Sequence, residues 1–175
     1  MNGMLKRCLL AAVTATLPAV VAAEVTRVGQ GGFSVRHVLE TTSNTNVVYE
    51  QLLRIGEWWN PDHSWSGAAE NLHLDLDRRC FCEKLPEGGY VEHLRIVYLA
   101  PGAAIRFDGA LGPLQSMAAN GRMEWRIEGV EPGSRVTFSY SVFGDPAAGL
   151  EGIAPAVDGV IGEQLARLGE RLAAD

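Results

Sequence analysis

Two cysteines and three histidines are the residues whose types could hold a metal ion. Cys80 and Cys82 offer thiolates, and His63, His73 and His93 offer imidazoles, a combination that suits Zn²⁺ or Cu⁺. A single Cys-x-Cys supplies only two ligands, and no second pair completes a tetrahedral set. His73 lies opposite the leucines of its predicted strand and is expected to face solvent. We therefore predict no metal site and no other cofactor.

The spacing of the same two cysteines leaves their redox state open. Side chains at positions i and i+2 of a regular strand lie about 6.5–7 Å apart. A disulfide needs Cβ atoms about 3.8 Å apart. Cys80 and Cys82 therefore either lie on a bulged strand, where they can be bridged, or keep free thiols.

Acid–base chemistry would need a histidine and a carboxylate to converge on one site. His37 lies on the apolar side of a predicted strand, and Glu83 and Glu92 lie on two adjacent predicted strands. We take His37 and Glu83 as candidate polar groups of a cavity, with a hydrogen-bonded core histidine as the alternative for His37. The sequence shows candidates without convergence, so no catalytic residue is assigned. It contains no Ser-His-Asp order, glycine-rich phosphate loop or zinc-protease motif.

Three tryptophans fall within eight residues, Trp58, Trp59 and Trp65, with His63 among them. Such a large aromatic surface either packs beneath a sheet or lines a pocket, and both interpretations stay open. The charge of a histidine changes near neutral pH. His63 could therefore orient a ligand or transfer a proton, while a structural hydrogen bond is the simpler role.

Alternation of apolar and polar residues predicts an antiparallel sheet with one face in water. A short helix over residues 46–56 follows the first predicted strand. Seven segments show the alternation or are bounded by turn residues: 33–40, 71–76, 80–85, 90–99, 105–108, 122–128 and 135–142.

A C-terminal helix of about 20 residues is expected to cover the apolar face of the sheet. Gly159, Gly162 and Gly169 each weaken it by about 1 kcal/mol relative to alanine, so it depends on packing. The order of elements predicts an α+β fold in which a seven-stranded antiparallel sheet curves around this helix. Its apolar stripe comprises Ile153, Val157, Val160, Ile161, Leu165, Leu168 and Leu172.

The N-terminus has the features of a secretory signal peptide. Lys6 and Arg7 precede an apolar run over residues 8–21, and small residues end at Ala23, where we predict cleavage. The alternative, an uncleaved membrane anchor, is disfavoured because the run is short and contains Pro18. The sequence therefore predicts a periplasmic or secreted protein.

The predicted domains are the signal peptide at 1–23, a flexible segment at 24–32 and one domain at 33–173. Removal of the signal peptide leaves 13 basic and 21 acidic residues, a net charge of −8. This balance argues against nucleic acid and anionic lipid headgroups as partners. No later segment is long and apolar enough for stable membrane insertion. The oligomeric state is not predicted.

Several short stretches resemble the helix-grip superfamily, which includes START domains, Bet v 1 proteins and polyketide cyclases. They are EWWNPDHSW at 57–65, CFCE at 80–83 and GALGPLQ at 109–115, together with the closing amphipathic helix. The nearest resemblance is to bacterial SRPBCC proteins related to the Hsp90 activators, and it covers about residues 33–172. It implies a deep cavity between sheet and helix without implying one activity. The signal peptide argues against the cytosolic role of the Hsp90 activators.

We therefore predict that the protein holds a small apolar molecule, lipid-like or aromatic, in this cavity. One alternative is a polyketide-cyclase-like enzyme acting in the same cavity. Another is a protein-interaction module with a filled core. The loops at 111–121 and 144–149 are predicted to flank the mouth. The predicted ligand-binding residues are Trp58, Trp59, His63, Trp65, Phe107, Leu114, Trp125, Phe138, Tyr140, Val157, Ile161 and Leu165.

Overall fold

The computed structural model describes residues 21–174, and their side chains from residue 25 onward. Most of the predicted signal peptide lies outside the described residues, and its cleavage stays a prediction. Within the described part of the chain, no helix is both long and apolar enough to cross a membrane.

Within residues 21–174, eight antiparallel strands form one sheet in the order β1-β2-β8-β7-β6-β5-β4-β3. The α+β class is confirmed, and the predicted strand count is corrected from seven to eight. The strands are β1 Val21–Gly29, β2 Gly32–Thr41, β3 Leu72–Asp75, β4 Cys80–Lys84, β5 Tyr90–Ala100, β6 Ala104–Asp108, β7 Ala119–Val130 and β8 Gly133–Gly144.

The additional strand is β1, so the prediction of a flexible segment at 24–32 is wrong. Val25 pairs with Val35 of β2, and Gly29 pairs with Gly32, so two residues connect a tight hairpin. The glycine-rich turn is a hairpin signal. The alternation of apolar and polar residues within β1 itself is weak, so the turn signal has no matching strand pattern. The strand is stabilised instead by pairing with β2 and by contact with the C-terminal helix.

Two α-helices complete the described part of the fold, α1 Thr45–Leu53 and α2 Leu150–Ala174. Asn44 caps α1, because its side-chain oxygen accepts hydrogen bonds from the backbone N–H groups of Asn46 and Val47. Short 3₁₀ turns lie at Ile55–Glu57, Pro61–His63, Ala69–Asn71, Pro86–Gly88, Gly112–Ser116 and Pro146–Ala148.

Aromatic rings form the centre of the core between the sheet and α2. Trp125 stacks on Phe138 with ring centroids 4.9 Å apart, and Phe107 meets the edge of Trp125 at 4.8 Å. Trp58, from the segment after α1, lies 5.6 Å from Trp125. The second half of α2 closes this cluster with buried leucines.

Two glycines allow α2 to lie close against β2. A Cβ atom at Gly162 would lie 2.7 Å from Cε1 of His37, and one at Gly169 would lie 3.0 Å from Cδ1 of Leu39. Gly159 has no such neighbour within 4 Å. The predicted dependence of α2 on packing therefore has a structural basis at Gly162 and Gly169 but not at Gly159.

Alanine at these positions should have opposite effects on stability. We expect Gly159→Ala to raise the free energy of unfolding by up to about 1 kcal/mol, the gain in helix propensity. We expect Gly162→Ala to lower it by about 1–3 kcal/mol because the new methyl group overpacks the contact with His37. Guanidinium denaturation of both variants measures the difference, and a shift of both in the same direction would contradict this account.

Candidate functional site

A cavity of about 330 Å³ lies between the first half of α2 and the β4–β5 side of the sheet. Its wall is mainly apolar, and its size falls at the lower end of the range for small-molecule sites. The lining residues come from the segment after α1, from β4 and β5, from the loop after β6 and from α2: Trp59, Asp62, His63, Ser64, Trp65, Phe81, His93, Leu111, Gly112, Pro113, Leu114, Ile153, Ala156, Val157, Val160 and Ile161.

The cavity exists because the two halves of α2 differ in their packing. Ile161 is buried but still lines the cavity, and after it Leu165, Leu168 and Leu172 are buried in the closed core. Before that point, Ile153, Val157 and Val160 are only half-buried, and they face the cavity. The apolar stripe of α2 thus serves as core in one half and as cavity wall in the other.

Six of the twelve predicted ligand-binding residues lie in the cavity wall. Their role in binding stays a prediction. They are Trp59, His63, Trp65, Leu114, Val157 and Ile161.

The other six do not line the cavity, which corrects the prediction for them. Their side chains are at most 1% exposed because they belong to the closed hydrophobic core. The hydroxyl group of Tyr140 is also engaged: it donates to the carbonyl oxygen of Gly109 and accepts from the N–H of Leu111. The six are Trp58, Phe107, Trp125, Phe138, Tyr140 and Leu165.

His37, a predicted polar group of the cavity, also lies elsewhere. It is buried on β2 beneath Gly162, and its Nε2 lies 2.8 Å from Oδ1 of Asp158 on α2. His37 therefore belongs to the close contact between β2 and α2.

The cysteines form a disulfide between Cys80 and Cys82, with Cα atoms 5.4 Å apart. Of the two alternatives left open by the sequence, the structure adopts the irregular strand, since the β4–β5 register shifts between Phe81 and Cys82. The bonded sulfurs are not available as thiolate ligands.

His93 is the residue that this irregularity inserts. Phe81 pairs with Leu94 and Cys82 with Glu92, so β5 carries one residue more than β4, namely His93. Bulges often redirect a side chain at a functional site. Here the side chain of His93 becomes part of the cavity wall. From the sequence, His93 was a candidate only as a metal ligand, and the one signal for its position was the need for a bulge beside the cysteines.

Glu83 and His93 form a buried pair, with Oε2 of Glu83 2.8 Å from Nε2 of His93. The carboxylate also accepts hydrogen bonds from the backbone N–H groups of Trp65 and Ser66. The ring of His93 lies against Phe81, with centroids 4.8 Å apart. Glu83, a predicted polar group of the cavity, thus does not itself line the wall but fixes the residue that does.

The environment of the pair favours an ionised carboxylate and a neutral imidazole. Burial raises the pKa of Glu83, but hydrogen bonds from Ser66, Trp65 and His93 outweigh it and hold that pKa below its ordinary value. Burial lowers the pKa of His93 and prevails over the opposing effect of Glu83.

Residues 58–66, here called the tryptophan segment, are attached to α2 at the cavity mouth. The backbone N–H of Asn60 donates to Gln164, Nε2 of His63 lies 3.0 Å from Oε2 of Glu163, and Arg167 donates to the carbonyl oxygen of Trp58. The contact with Glu163 gives His63 a structural hydrogen bond, the simpler of the roles predicted for it. Trp65 remains 56% exposed.

The predicted loops contribute unequally to the mouth. Residues 111–114 line the cavity, whereas residues 144–149 do not.

No protein-family model and no curated protein match the chain, whereas solved structures do. Ara h 8.0201 has a TM-score of 0.58 at 11% identity, over 83% of this chain and 100% of that one. A protein from Rhizobium leguminosarum has a TM-score of 0.57 at 17% identity, over 89% of this chain and 99% of that one. The di-domain ARO/CYC StfQ from the steffimycin biosynthetic pathway has a TM-score of 0.55 at 15% identity, over 83% of this chain and 53% of that one.

These similarities show the fold. The chain has the helix-grip, START-like architecture that its sequence resembles. At these identities the similarity extends to the architecture and not to an activity.

Replacement of Glu83 by glutamine should weaken the attachment of the tryptophan segment. The two backbone N–H groups of Trp65 and Ser66 bond different carboxylate oxygens, and an amide has only one acceptor oxygen. We expect Glu83→Gln to lower the free energy of unfolding by about 1–3 kcal/mol, measured by urea denaturation. The control Glu92→Gln, which loses a partly exposed ion pair with Arg95, should cost less than about 1 kcal/mol. Equal effects would contradict the assignment.

The same pair predicts acid sensitivity. Below the ordinary histidine pKa of 6.5, the unfolded chain binds a proton at His93 that the folded chain does not, so stability falls as pH falls. The lowered pKa of Glu83 adds a further loss of stability below about pH 4.5, because the carboxyl group is protonated in the unfolded chain before it is protonated in the folded one. Denaturation curves between pH 7.5 and 4 should show this decline. His93→Phe should flatten its upper part, and an unchanged slope would refute the assignment.

Proposed function

We propose that the protein binds a small apolar molecule, aromatic or lipid-like, in the cavity between α2 and the sheet. The observation that carries this proposal is an open space of about 330 Å³ with a mainly apolar wall and few polar groups. Sites of this kind bind apolar ligands, and their polar groups set the orientation. The filled-core interaction module would not leave such a space.

The proposed location is the periplasm or the outside of the cell. The support is the N-terminal sequence, with its positive start, apolar run and small-residue exit. The disulfide between Cys80 and Cys82 agrees with this location, because disulfides persist in oxidising compartments.

The second candidate function is a polyketide-cyclase-like reaction on a molecule in the same cavity. The buried Glu83–His93 pair favours it, because a titratable residue lies in the cavity wall. StfQ, described as a di-domain ARO/CYC, shares this fold, so the fold is compatible with either function. Mass spectrometry of molecules recovered after incubation distinguishes the two, since a binding protein returns its ligand unchanged.

A bulky side chain in the cavity should block binding. The neutral fluorescent probe N-phenyl-1-naphthylamine should bind the wild-type protein with a rise in emission. We expect Val157→Trp to weaken its binding by about tenfold or more, because the indole occupies the space between α2 and His93. The matched control Ala173→Trp places the same ring on an exposed position of α2 away from the cavity. Equal affinity in both variants would place the probe elsewhere.

A further inference from the structure

We propose that His93 accepts a hydrogen bond from the ligand, so that the cavity selects apolar molecules that carry a phenol- or alcohol-type hydroxyl group. This inference rests on the proposed binding function and specifies its ligand class. The juxtaposition that carries it is a buried carboxylate behind the one deeply buried imidazole of the cavity wall.

The hydrogen bonds of Glu83 determine which nitrogen of His93 carries the proton. The carboxylate accepts backbone N–H groups from Trp65 at 3.0 Å and from Ser66 at 2.5 Å, and it lies 2.8 Å from Nε2 of His93. A carboxylate surrounded by donors acts only as an acceptor. Nε2 must therefore carry hydrogen, and a neutral His93 is left with a lone pair on Nδ1.

Nδ1 is also the nitrogen available to a bound molecule. Among the described residues, the hydrogen bond to Glu83 at Nε2 is the one that the His93 ring forms with a protein group, and the side chain of His93 lies in the cavity wall. The ring is held by Glu83 on one side and by Phe81 on the other. An acceptor fixed in this way costs little ordering entropy when a ligand binds.

The other polar side chains of the wall offer no equivalent buried acceptor. Asp62 is exposed. His63 is one-third exposed at the mouth and lies 3.0 Å from Glu163. The hydroxyl group of Ser64 donates to the carbonyl oxygen of Pro61. His93, at 5% exposure, is therefore the group most sheltered from water and the one best placed to discriminate between ligands.

This arrangement favours a neutral donor over two other kinds of ligand. A ligand without a donor leaves the acceptor at Nδ1 unpaired when it displaces water. A ligand that carries a carboxylate brings negative charge toward the lone pair of Nδ1 and the ionised Glu83 behind it. The expected order of affinity is hydroxyl first, then the hydrocarbon, then the carboxylate.

The test compares three probes that share one ring system, namely 2-naphthol, 2-methylnaphthalene and 2-naphthoate, by calorimetry on the mature protein at pH 7.5. We expect 2-naphthol to bind about three- to tenfold more tightly than 2-methylnaphthalene, the effect of one neutral hydrogen bond. His93→Phe should abolish that preference while 2-methylnaphthalene still binds. The control His73→Phe changes a histidine outside the cavity wall and should keep the preference.

The outcomes separate the two proposals. Equal binding of 2-naphthol and 2-methylnaphthalene by the wild-type protein overturns the role of His93 and leaves the apolar site intact. Binding of none of the three overturns the proposed function, and the inference with it.

A measurement on the wild-type protein keeps the inference testable if His93→Phe does not fold. Imidazole ¹⁵N spectra should show His93 protonated at Nε2, and its Nδ1 signal should shift with 2-naphthol but not with 2-methylnaphthalene. A ring protonated at Nδ1 would overturn the inference.

Discussion

The close approach of α2 to β2 is the contact on which both the core and the cavity depend. It is possible because Gly162 and Gly169 leave no side chain between the helix and the rings and methyl groups of His37 and Leu39. From this region onward the helix closes on the aromatic cluster around Trp125. In the half of α2 that precedes it, Leu150 and Ala154 are still buried in the core. The half-buried Ile153, Val157 and Val160 face open space instead. One helix thus provides a closed core at one end and a cavity wall at the other.

Glu83 links the fold to the candidate site. A buried carboxylate is costly unless hydrogen bonds satisfy it, and here the donors come from the tryptophan segment and from β5. The same bonds hold Trp65 at the mouth and orient His93 in the wall. The bonds of Asn60 and His63 to α2 attach the other end of this segment. The cavity is therefore bounded by segments that are fixed to one another through polar side chains.

The sequence predicted the architecture well because the fold is specified by alternation and by one amphipathic helix. The residues of α2 were correctly placed on one face, but periodicity does not reveal whether a buried face meets other side chains or an open space. Trp125 and Phe138 were therefore assigned to the cavity, although they stack on each other.

The same limit applies to residues whose position depends on local register. A period-two pattern counts residues along one strand and does not show an extra residue relative to its neighbour, so the position of His93 could not be predicted. Strand β1 was missed because its stabilisation comes from β2 and α2 rather than from its own pattern.

The protonation state of the Glu83–His93 pair bears on the choice between binding and catalysis. A general base works best when its pKa lies near the working pH. Burial instead lowers the pKa of His93, which makes it a weaker base but keeps it neutral, with a free lone pair. The Glu83 carboxylate raises the pKa of His93, but it cancels the effect of burial only in part. These properties suit an imidazole that recognises a hydroxyl group better than one that removes its proton, and they are the physical reason for placing binding ahead of catalysis.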